Sequence, residues 1–523
     1  MPLIPFREQW SSISNGTMDI STTQTTANMQ RDIYEPLSQY GYTFSTPYYY
    51  SGVTFAATSQ DYIDCIDQGE TLLGECRDLS ICVLEASTYT NVVQRLLPGS
   101  NIVLVEFSDD LFTNFADEIC NVISGSTLLI YEERVREVGY KGDYVFAPRI
   151  YDPEPFALTT RGDDVEFGDF VNWLLRALIV ADTLNIDSSN YEEFPSTDLF
   201  GPLYENMFRN AIQAVGNYGS MYDRYLQDRS PRRPGGINTP HLFASDGGLL
   251  YANPLGDISN IEDGLSDGLL FLGPTEGGTI ERILDRGTLR CGILPYDSHG
   301  NSRKGLAVFN ETTQSYNGMD IDYCKGITGS LFEGKIVEGE TYELVVCDTI
   351  DDGFVDLTDN SIDILVGATY DIVNDVKHPI TQQGYAFSDI YYYYQVGKLV
   401  DGSGFDIIGD DYDTTTHEEI IVDPIAIATR EEDVQFTDFI RSLVTSTIYA
   451  EATGITAGTA VDMPIIELFG STLQQSLREI ILAVGNYEEI YTRNMERFLP
   501  RSNNARNTLN TGGNPQFYSN WKF

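Results

Sequence analysis

Two stretches of the chain decide how the whole sequence is organised. Residues 155–174 read PFALTTRGDDVEFGDFVNWL, and residues 424–443 read PIAIATREEDVQFTDFIRSL. Ten of these twenty positions are identical without a gap. Matches of this length at a fixed spacing indicate an internal repeat, which has to be recognised before any fold is assigned.

Further blocks extend the repeat in both directions. The offset of 269 residues also holds for LFG at 199–201 and for AVGNY at 214–218. A third block, GYTFSTPYYY at 41–50, matches GYAFSDIYYY at 384–393 with an offset of 343. The same unit therefore occurs twice, and the second copy is 74 residues shorter between the blocks because 343 exceeds 269 by that number.

Three segments follow from these offsets. We predict a first copy over 1–255, a linker over 256–277 and a second copy over 278–523. The linker is rich in Gly, Asp and Ser, which is typical of a connecting segment. A chain of 523 residues is also longer than a single hydrophobic core supports.

The coarse secondary structure alternates between strands and helices. TLRCGIL (288–294) and IDILVGA (362–368) are short apolar runs between turn residues and predict strands. DFVNWLLRALIVADTL (169–184) has apolar residues at helical spacing, and Asp163 or Asp164 could cap its first turn. This alternation predicts an α/β protein with a largely parallel sheet.

The charge of the chain excludes two kinds of partner. The formal net charge is −46, from 78 acidic and 32 basic side chains. Nucleic acid and anionic membrane surfaces require a basic face, so we expect neither as a partner. No apolar run approaches the ~20 residues of a membrane span, and MPLIPFREQW does not read as a signal peptide.

The residue types needed for catalysis and metal binding are scarce. The sequence contains four histidines and seven cysteines but no C-x-x-C pair, H-E-x-x-H motif, P-loop or nucleophile elbow. We therefore predict a protein that is not an enzyme and that holds no metal and no cofactor. The cysteines fit either disulfides in an oxidising compartment, with one left over, or a set of buried free thiols.

The order of the motifs resembles a known family. Copy two contains RGTLRCGIL, YNGMDIDYCKGI, NSIDILVGATYD and GYAFSDIYYYY in that order, and copy one carries the tail RNAIQAVGNYGSMYDRY. This set resembles solute-binding protein family 3, the amino-acid-binding proteins of bacterial ABC transporters, and in particular its general L-amino-acid-binding subgroup. The resemblance implies tandem type II periplasmic-binding-protein-like units, each built from α/β lobes with mostly parallel sheets.

The resemblance also implies a function. We expect non-catalytic binding of an amino acid or a similar small solute in a cleft between two lobes. It further implies a membrane transporter or receptor as a partner, and an extracellular or periplasmic location. The alternative is an extracellular structural or adhesive protein that reuses a degenerate binding-protein fold.

Ligand-binding residues are carried over position by position onto copy one. The family's arginine, which holds the ligand's α-carboxylate, falls on Arg31. The family's hydroxyl and backbone donors fall on Thr25, Thr26, Ser87 and Thr88. The family's acidic residue for the α-ammonium falls on Ser126, which is not an acid in this chain.

Both copies depart from the family pattern. In copy two the arginine position is assigned to Asp375, with Thr369 nearby, and the 74 missing residues correspond to most of the second lobe. Copy one has a second lobe but lacks the opening strand and helix of the first. The chain could be an incomplete gene product, copy two could supply the missing surface, or copy one could be a degenerate scaffold.

The resemblance and the spacing together predict three disulfides. The subgroup pattern pairs Cys82 with Cys120 and Cys291 with Cys324. Cys65 and Cys76 are close enough in sequence to close a short loop, which leaves Cys347 unpaired.

Several repeated residues are expected to be structural. The tyrosine runs at 48–50 and 391–394 predict strands that join lobes, with alternate rings packed inward. The repeated Asn217 and Asn486 are expected to stabilise helix ends.

Overall fold

The computed structural model describes most of the chain, namely residues 6, 8–35, 38, 41–147, 150–228, 238, 274–297, 300–396, 398–400, 406–408, 421–466, 468–501 and 507–509. These residues form two compact units. Unit 1 consists chiefly of Met1–Asp164, and unit 2 chiefly of Val165–Tyr225 and Ile258–Phe523. The predicted linker lies outside the described residues except for 274–277.

Unit 1 contains eight strands and six helices among its described residues. The strands are β1 Ser21–Thr26, β2 Tyr42–Phe44, β3 Tyr49–Ala57, β4 Ser80–Leu84, β5 Asn101–Val105, β6 Val122–Ser126, β7 Val145–Phe146 and β8 Asp152–Arg161. The helices are α1 Glu8–Ser14, α2 Met29–Ile33, α3 Gln60–Gln68, α4 Thr88–Leu96, α5 Ser108–Ala116 and α6 Glu132–Glu137.

One sheet runs through unit 1 in the order β1-β8-β3-β6-β4-β5. β4 is parallel to β5 and β6, as expected where helices connect successive strands. β3 is antiparallel to both of its neighbours, β8 and β6. Its first half pairs with β8 and its second half with β6, so β3 joins the two halves of the sheet.

The second half of unit 1 is a small α/β layer with its own core. Phe55, Ile81 and Val93 are fully buried in one cluster on one face of the sheet. Two of the predicted disulfides, Cys65–Cys76 and Cys82–Cys120, are present here, with Cα atoms 5.6 and 5.7 Å apart. Both separations lie in the range that a disulfide spans without moving the backbone.

Unit 2 contains both helical tails of the repeat. Its helices are α7 Val165–Thr183, α8 Met207–Val215, α9 Tyr218–Tyr225, α10 Thr279–Arg286, α11 Met319–Leu331, α12 Ile350–Thr358, α13 Ile372–Val376, α14 Val434–Thr453, α15 Ser476–Val484 and α16 Tyr487–Asn494. Its strands are β9 Leu289–Ile293, β10 Val308–Asn310, β11 Ser315–Asn317, β12 Tyr342–Val346, β13 Ile364–Thr369, β14 Tyr385–Phe387, β15 Tyr392–Val396, β16 Lys398–Val400, β17 Asp406–Ile408 and β18 Ile421–Arg430.

The main sheet of unit 2 has the order β12-β9-β13-β18-β14, with β15 also paired to β18. Only β12, β9 and β13 are parallel, and every partner of β18 is antiparallel to it. The expectation of mostly parallel sheets is therefore wrong in detail, because the long strands β8 and β18 return against the direction of their neighbours. The α/β class itself is observed.

The two copies of the sequence repeat also pair their strands in the same register. Thr26 lies opposite Phe156 in unit 1, and Thr369 lies opposite Ile425 in unit 2. Both pairs keep the sequence offsets of 343 and 269. The two copies therefore share one strand framework.

The helical tail of copy one packs in unit 2, so the compact units divide the chain at a different place from the sequence repeat. Residues 165–225 belong by sequence to copy one, yet Trp173 of α7 and Phe208 of α8 share a buried cluster with Ile372 of α13. The boundary between compact units therefore lies near residue 164, although the sequence repeat ends near 255.

The repeated asparagines stabilise helix ends in both copies. Asn486 Oδ1 accepts from the backbone N–H of Glu489 at the start of α16, and its Nδ2 donates to the carbonyl of Ile455. Asn217 makes the equivalent bonds, from its Nδ2 to the carbonyl of Ile186 and from the N–H of Ser220 to its Oδ1. These contacts satisfy backbone groups that a helix start leaves free.

The third predicted disulfide is absent. Cys291 of β9 and Cys324 of α11 are buried free thiols, as is Cys347. Burial raises the pKa of Cys324, and a hydrogen bond with Cys291 raises it further. The resemblance correctly placed the two side chains together, but they meet as neutral thiols in the core of unit 2.

None of the described helices combines the length and the apolar character needed to cross a membrane.

Candidate functional site

The candidate site lies at the middle of β3, where its pairing with β8 ends and its pairing with β6 begins. Ser51 of β3 is opposite Glu154 of β8, and two residues later Val53 is opposite Ser126 of β6. Because β8 and β6 lie on opposite sides of β3, residues from both halves of unit 1 come together at this point.

Glu154 joins two of the predicted ligand-binding residues. Its carboxylate is buried, and its Oε1 accepts from the hydroxyl of Thr26 at 3.2 Å and also from the hydroxyl of Thr88. The two threonine oxygens are 3.5 Å apart. Thr26 ends β1 and Thr88 begins α4, so one carboxylate oxygen is bonded from both halves of the unit.

Arg31 brings a buried cation to the same cluster. Its Nη1 donates to the carbonyl of Thr26 at 3.0 Å, and its guanidinium lies 4.9 Å from the ring centre of Trp10. Burial lowers the pKa of Arg31, while the nearby carboxylates of Glu35 and Glu154 act in the opposite direction. A guanidinium held in this way presents several N–H donors in a fixed plane, which suits a carboxylate.

Hydroxyl groups complete the polar lining. Ser126 is fully buried, and its Oγ lies 3.5 Å from Gln24 Oε1. Tyr89 is hydrogen bonded to Ser126. The pKa of Tyr89 is raised, chiefly because the phenol is buried and to a lesser extent because the negative charge of Glu154 is nearby. Burial also raises the pKa of Tyr48 to about 12. Both phenols are therefore neutral donors at neutral pH.

Two of the six predicted ligand-binding residues face other partners. Thr25 follows the alternation of β1 and donates to Gln9 Oε1 of α1 at 3.2 Å, whereas Thr26 bonds Glu154. Ser87 precedes α4 and donates to the carbonyl of Leu84. The structure thus gathers Thr26, Arg31, Thr88 and Ser126, while the hydroxyls of Thr25 and Ser87 are engaged in structural contacts.

Sequence reasoning did not identify Glu154. Its signal was nonetheless present, because Glu154 precedes the first repeat block and Asp423 stands at the same place before the second. The register agrees, with Ser51 opposite Glu154 and Tyr394 opposite Asp423. An acidic residue repeated beside a proline on a buried strand could have been selected as a candidate.

The structure corrects the position that corresponds to Arg31 in copy two. The caps of α2 and α13 are Asn28 and Asp371, and their side chains accept from the backbone N–H of Arg31 and Asn374. The equivalent residue is therefore Asn374 and not Asp375. The assignment to Asp375 was one residue out, because the offset of 343 that relates Thr26 to Thr369 also relates Arg31 to Asn374.

Asn374 repeats the local contact of Arg31 without its charge. Its Nδ2 donates to the carbonyl of Thr369 at 3.0 Å, as Arg31 Nη1 does to the carbonyl of Thr26. Copy two consequently offers an amide where copy one offers a cation. Asp375 accepts instead from Trp173 Nε1 of α7 at 2.7 Å.

Within the part of the chain that the structure describes, no group of three His, Cys, Asp or Glu side chains is placed to hold a metal ion.

Comparisons with known proteins point to one class of protein. No family model matches the chain. The general L-amino acid-binding periplasmic protein AapJ of Rhizobium johnstonii is 23% identical over 271 residues, which cover 48% of this chain and 75% of AapJ. The glutamate/glutamine/aspartate/asparagine-binding protein BztA of Rhodobacter capsulatus is 24% identical over 267 residues, which cover 47% of this chain and 74% of BztA.

One solved structure also matches part of the chain at low similarity. An ABC transporter periplasmic binding protein from Brucella ovis with glutathione bound has a TM-score of 0.38 and 23% identity, and the match covers 48% of this chain and 81% of that protein. The named relatives are binding proteins and not enzymes. Over about half of its length, the chain is a homologue of the solute-binding proteins of amino-acid ABC transporters.

Proposed function

We propose that unit 1 binds a small amino-acid-like solute and releases it unchanged. The observation that carries this proposal is Arg31, a buried cation beside hydroxyls from both halves of the unit, Thr26 and Thr88. A carboxylate placed there would receive charge-assisted hydrogen bonds from the guanidinium and neutral ones from the hydroxyls. Burial strengthens such contacts because it excludes water.

The relatives support the wider setting. AapJ is named as a periplasmic protein that binds L-amino acids, and BztA as a protein that binds four of them. We extend from them a location outside the cytoplasm and delivery of the solute to a membrane transporter or receptor. The two disulfides of unit 1 suit an oxidising compartment. No comparison supports the structural or adhesive alternative, and we do not propose it.

The test is calorimetric titration of the purified chain with a panel of amino acids. We expect saturable binding of at least one of them and a loss of roughly 10- to 100-fold in affinity for Arg31→Ala, because a hydrogen bond to a charged group is worth ~1.5–3 kcal/mol. The control is Arg136→Ala, an exposed arginine of α6 in the same unit that pairs with Glu132. No heat and no thermal shift with any amino acid would refute the proposal.

A further inference from the structure

Two asparagines stand in the sequence pattern that directs N-linked glycosylation. Asn15-Gly16-Thr17 and Asn310-Glu311-Thr312 are the only Asn-x-Ser/Thr triplets of the chain. Asn15 directly follows α1 in unit 1, and Asn310 ends β10 in unit 2. We propose that both asparagines carry N-linked glycans, one on each unit. The inference goes beyond the proposed function: it rests on the proposed location outside the cytoplasm and not on the solute.

Both triplets are accessible to a modifying enzyme. All three residues of each triplet are exposed. Gly16 turns the chain after α1 with a φ of +73°, and no atom lies within 4 Å of the place where its Cβ would be. The second triplet begins the connection between β10 and β11, after Asn310 has paired with Ser315. A glycan is bulky and solubilising, so it requires surface positions of this kind.

The same hydrogen bond orients both asparagine side chains. Asn15 Oδ1 accepts from the backbone N–H of Thr17 at 2.9 Å, and Asn310 Oδ1 accepts from that of Thr312, also at 2.9 Å. The bond keeps the amide close to the threonine two residues ahead, which is the residue that the glycosylation pattern requires. Neither Nδ2 donates to any group that the structure describes, so both amide nitrogens are open to reaction.

A purely structural role would not need an amide at these positions. Asp187 and Asp359 accept the backbone N–H two residues ahead in the same way, at 2.7 and 2.9 Å. A carboxylate therefore suffices for such a turn, and acidic residues are abundant in this chain. Where an amide is structural, both of its ends are used: Asn486 accepts at Oδ1 and also donates from Nδ2 to a backbone carbonyl. Asn15 and Asn310 use only the oxygen, which leaves the nitrogen for chemistry.

The modification transfers a sugar to the amide nitrogen. The donor is an oligosaccharide whose first N-acetylglucosamine is joined through C1 to a lipid pyrophosphate. The bond from C1 to the pyrophosphate oxygen breaks, and a bond from C1 to asparagine Nδ2 forms. The lipid pyrophosphate leaves with the electron pair, Nδ2 gives up one proton to a base of the transferase, and nothing is oxidised or reduced. An aspartate has no amide nitrogen and cannot replace the asparagine.

The disulfides of unit 1 suit the compartment in which this transfer takes place. Cys65–Cys76 and Cys82–Cys120 fit an oxidising environment such as the lumen of the endoplasmic reticulum. Lipid-linked oligosaccharides are transferred to secreted chains in the same lumen. The inference therefore includes a secretory pathway that supplies this donor.

The test analyses the protein recovered from the cells that produce it. Trypsin releases Asn15 in the peptide 8–31 and Asn310 in the peptide 305–325. We expect both peptides to occur mainly as glycopeptides, recognised by their sugar fragment ions, and to lose the added mass on treatment with peptide N-glycosidase. An unmodified asparagine at either position would overturn the inference for that unit.

Variants of the full chain test which atoms are required. They are secreted from a eukaryotic cell behind a cleavable signal peptide, and their intact masses are compared. Asn15→Asp and Asn310→Asp keep the acceptor of the turn but lack Nδ2, so each should lose one glycan. Thr17→Ala and Thr312→Ala keep the asparagine but lack the hydroxyl two residues ahead, so each should give the same loss.

Asn360→Asp is the matched control. Asn360 is also an exposed asparagine of unit 2, but Ile362 stands two residues ahead, so this variant should keep both glycans. Thermal unfolding after enzymatic removal of the glycans reports whether each variant is folded, and chain retained in the cell is analysed in the same way as secreted chain. A glycan that persists when Asn15 and Asn310 are both replaced by aspartate would overturn the assignment.

The inference and the proposed function fail separately, because the mass measurements involve no solute. Glycans at both positions of a chain that binds no amino acid would overturn the proposed function and leave the inference standing. Binding of an amino acid by a chain that carries no glycan would overturn the inference alone.

Discussion

Replacing Asp375 by asparagine should change how the stability of unit 2 depends on pH. Asp375 is fully buried at the contact between α13 and α7, where it accepts from Trp173 Nε1 at 2.7 Å. Burial raises the pKa of Asp375 from 3.8 to about 7, although the bond from Trp173 and the charge of Arg176 oppose the shift. Burial and the charge of Asp375 also raise the pKa of Asp169 on α7.

The sign and size of the effect follow from this shift. The folded state binds the proton more tightly than the unfolded state, so stability is fully present below about pH 4 and is lost as the pH rises through about 7. Since a tenfold change in an acid constant corresponds to ~1.4 kcal/mol, the loss for Asp375 is at most ~4 kcal/mol. Asp375→Asn keeps an acceptor for Trp173 but cannot ionise, so most of this loss should disappear.

The assay is denaturant unfolding followed by tryptophan fluorescence at several values between pH 5 and pH 8. We expect the free energy of unfolding of the wild-type protein to fall over this range, and that of Asp375→Asn to fall by less. Asp187→Asn is the control, because hydrogen bonds from Ser189 lower the pKa of that exposed carboxyl and it titrates at more acidic pH. Parallel curves for the wild-type protein and Asp375→Asn would refute the reasoning.

Two further predictions concern the stability of each unit. Replacing both cysteines of Cys82–Cys120 by alanine should lower the free energy of unfolding of unit 1 by ~4 kcal/mol, and replacing both cysteines of Cys65–Cys76 should lower it by ~3 kcal/mol. The difference arises because the two bonds close loops of 38 and 11 residues. Equal losses of free energy for the two variants in denaturant unfolding would contradict this prediction. Trp173→Phe should cost ~1.5–3 kcal/mol more than Trp10→Phe. Both indoles are fully buried under an arginine, but Trp10 Nε1 has no hydrogen-bond partner among the described residues.

The fold could be predicted from the sequence because the repeat is long and ordered. The blocks beginning at 155 and 424 lie on β8 and α7 and on β18 and α14, and they adopt the same register in both units. What the sequence could not show is where α7 packs. Its apolar spacing predicts a helix with a buried face, but the partner of that face is set by tertiary contacts such as Trp173 with Asp375.

The candidate site was only partly predictable for a related reason. Alignment to a family assigns roles along the chain, and three of the residues it selected contact one another in the structure: Thr26 contacts both Arg31 and Thr88. It could not separate Thr25 from Thr26, because the direction of a side chain depends on the alternation of β1. The disulfide predicted for Cys291 and Cys324 shows the same limit, since two cysteines can be adjacent as thiols.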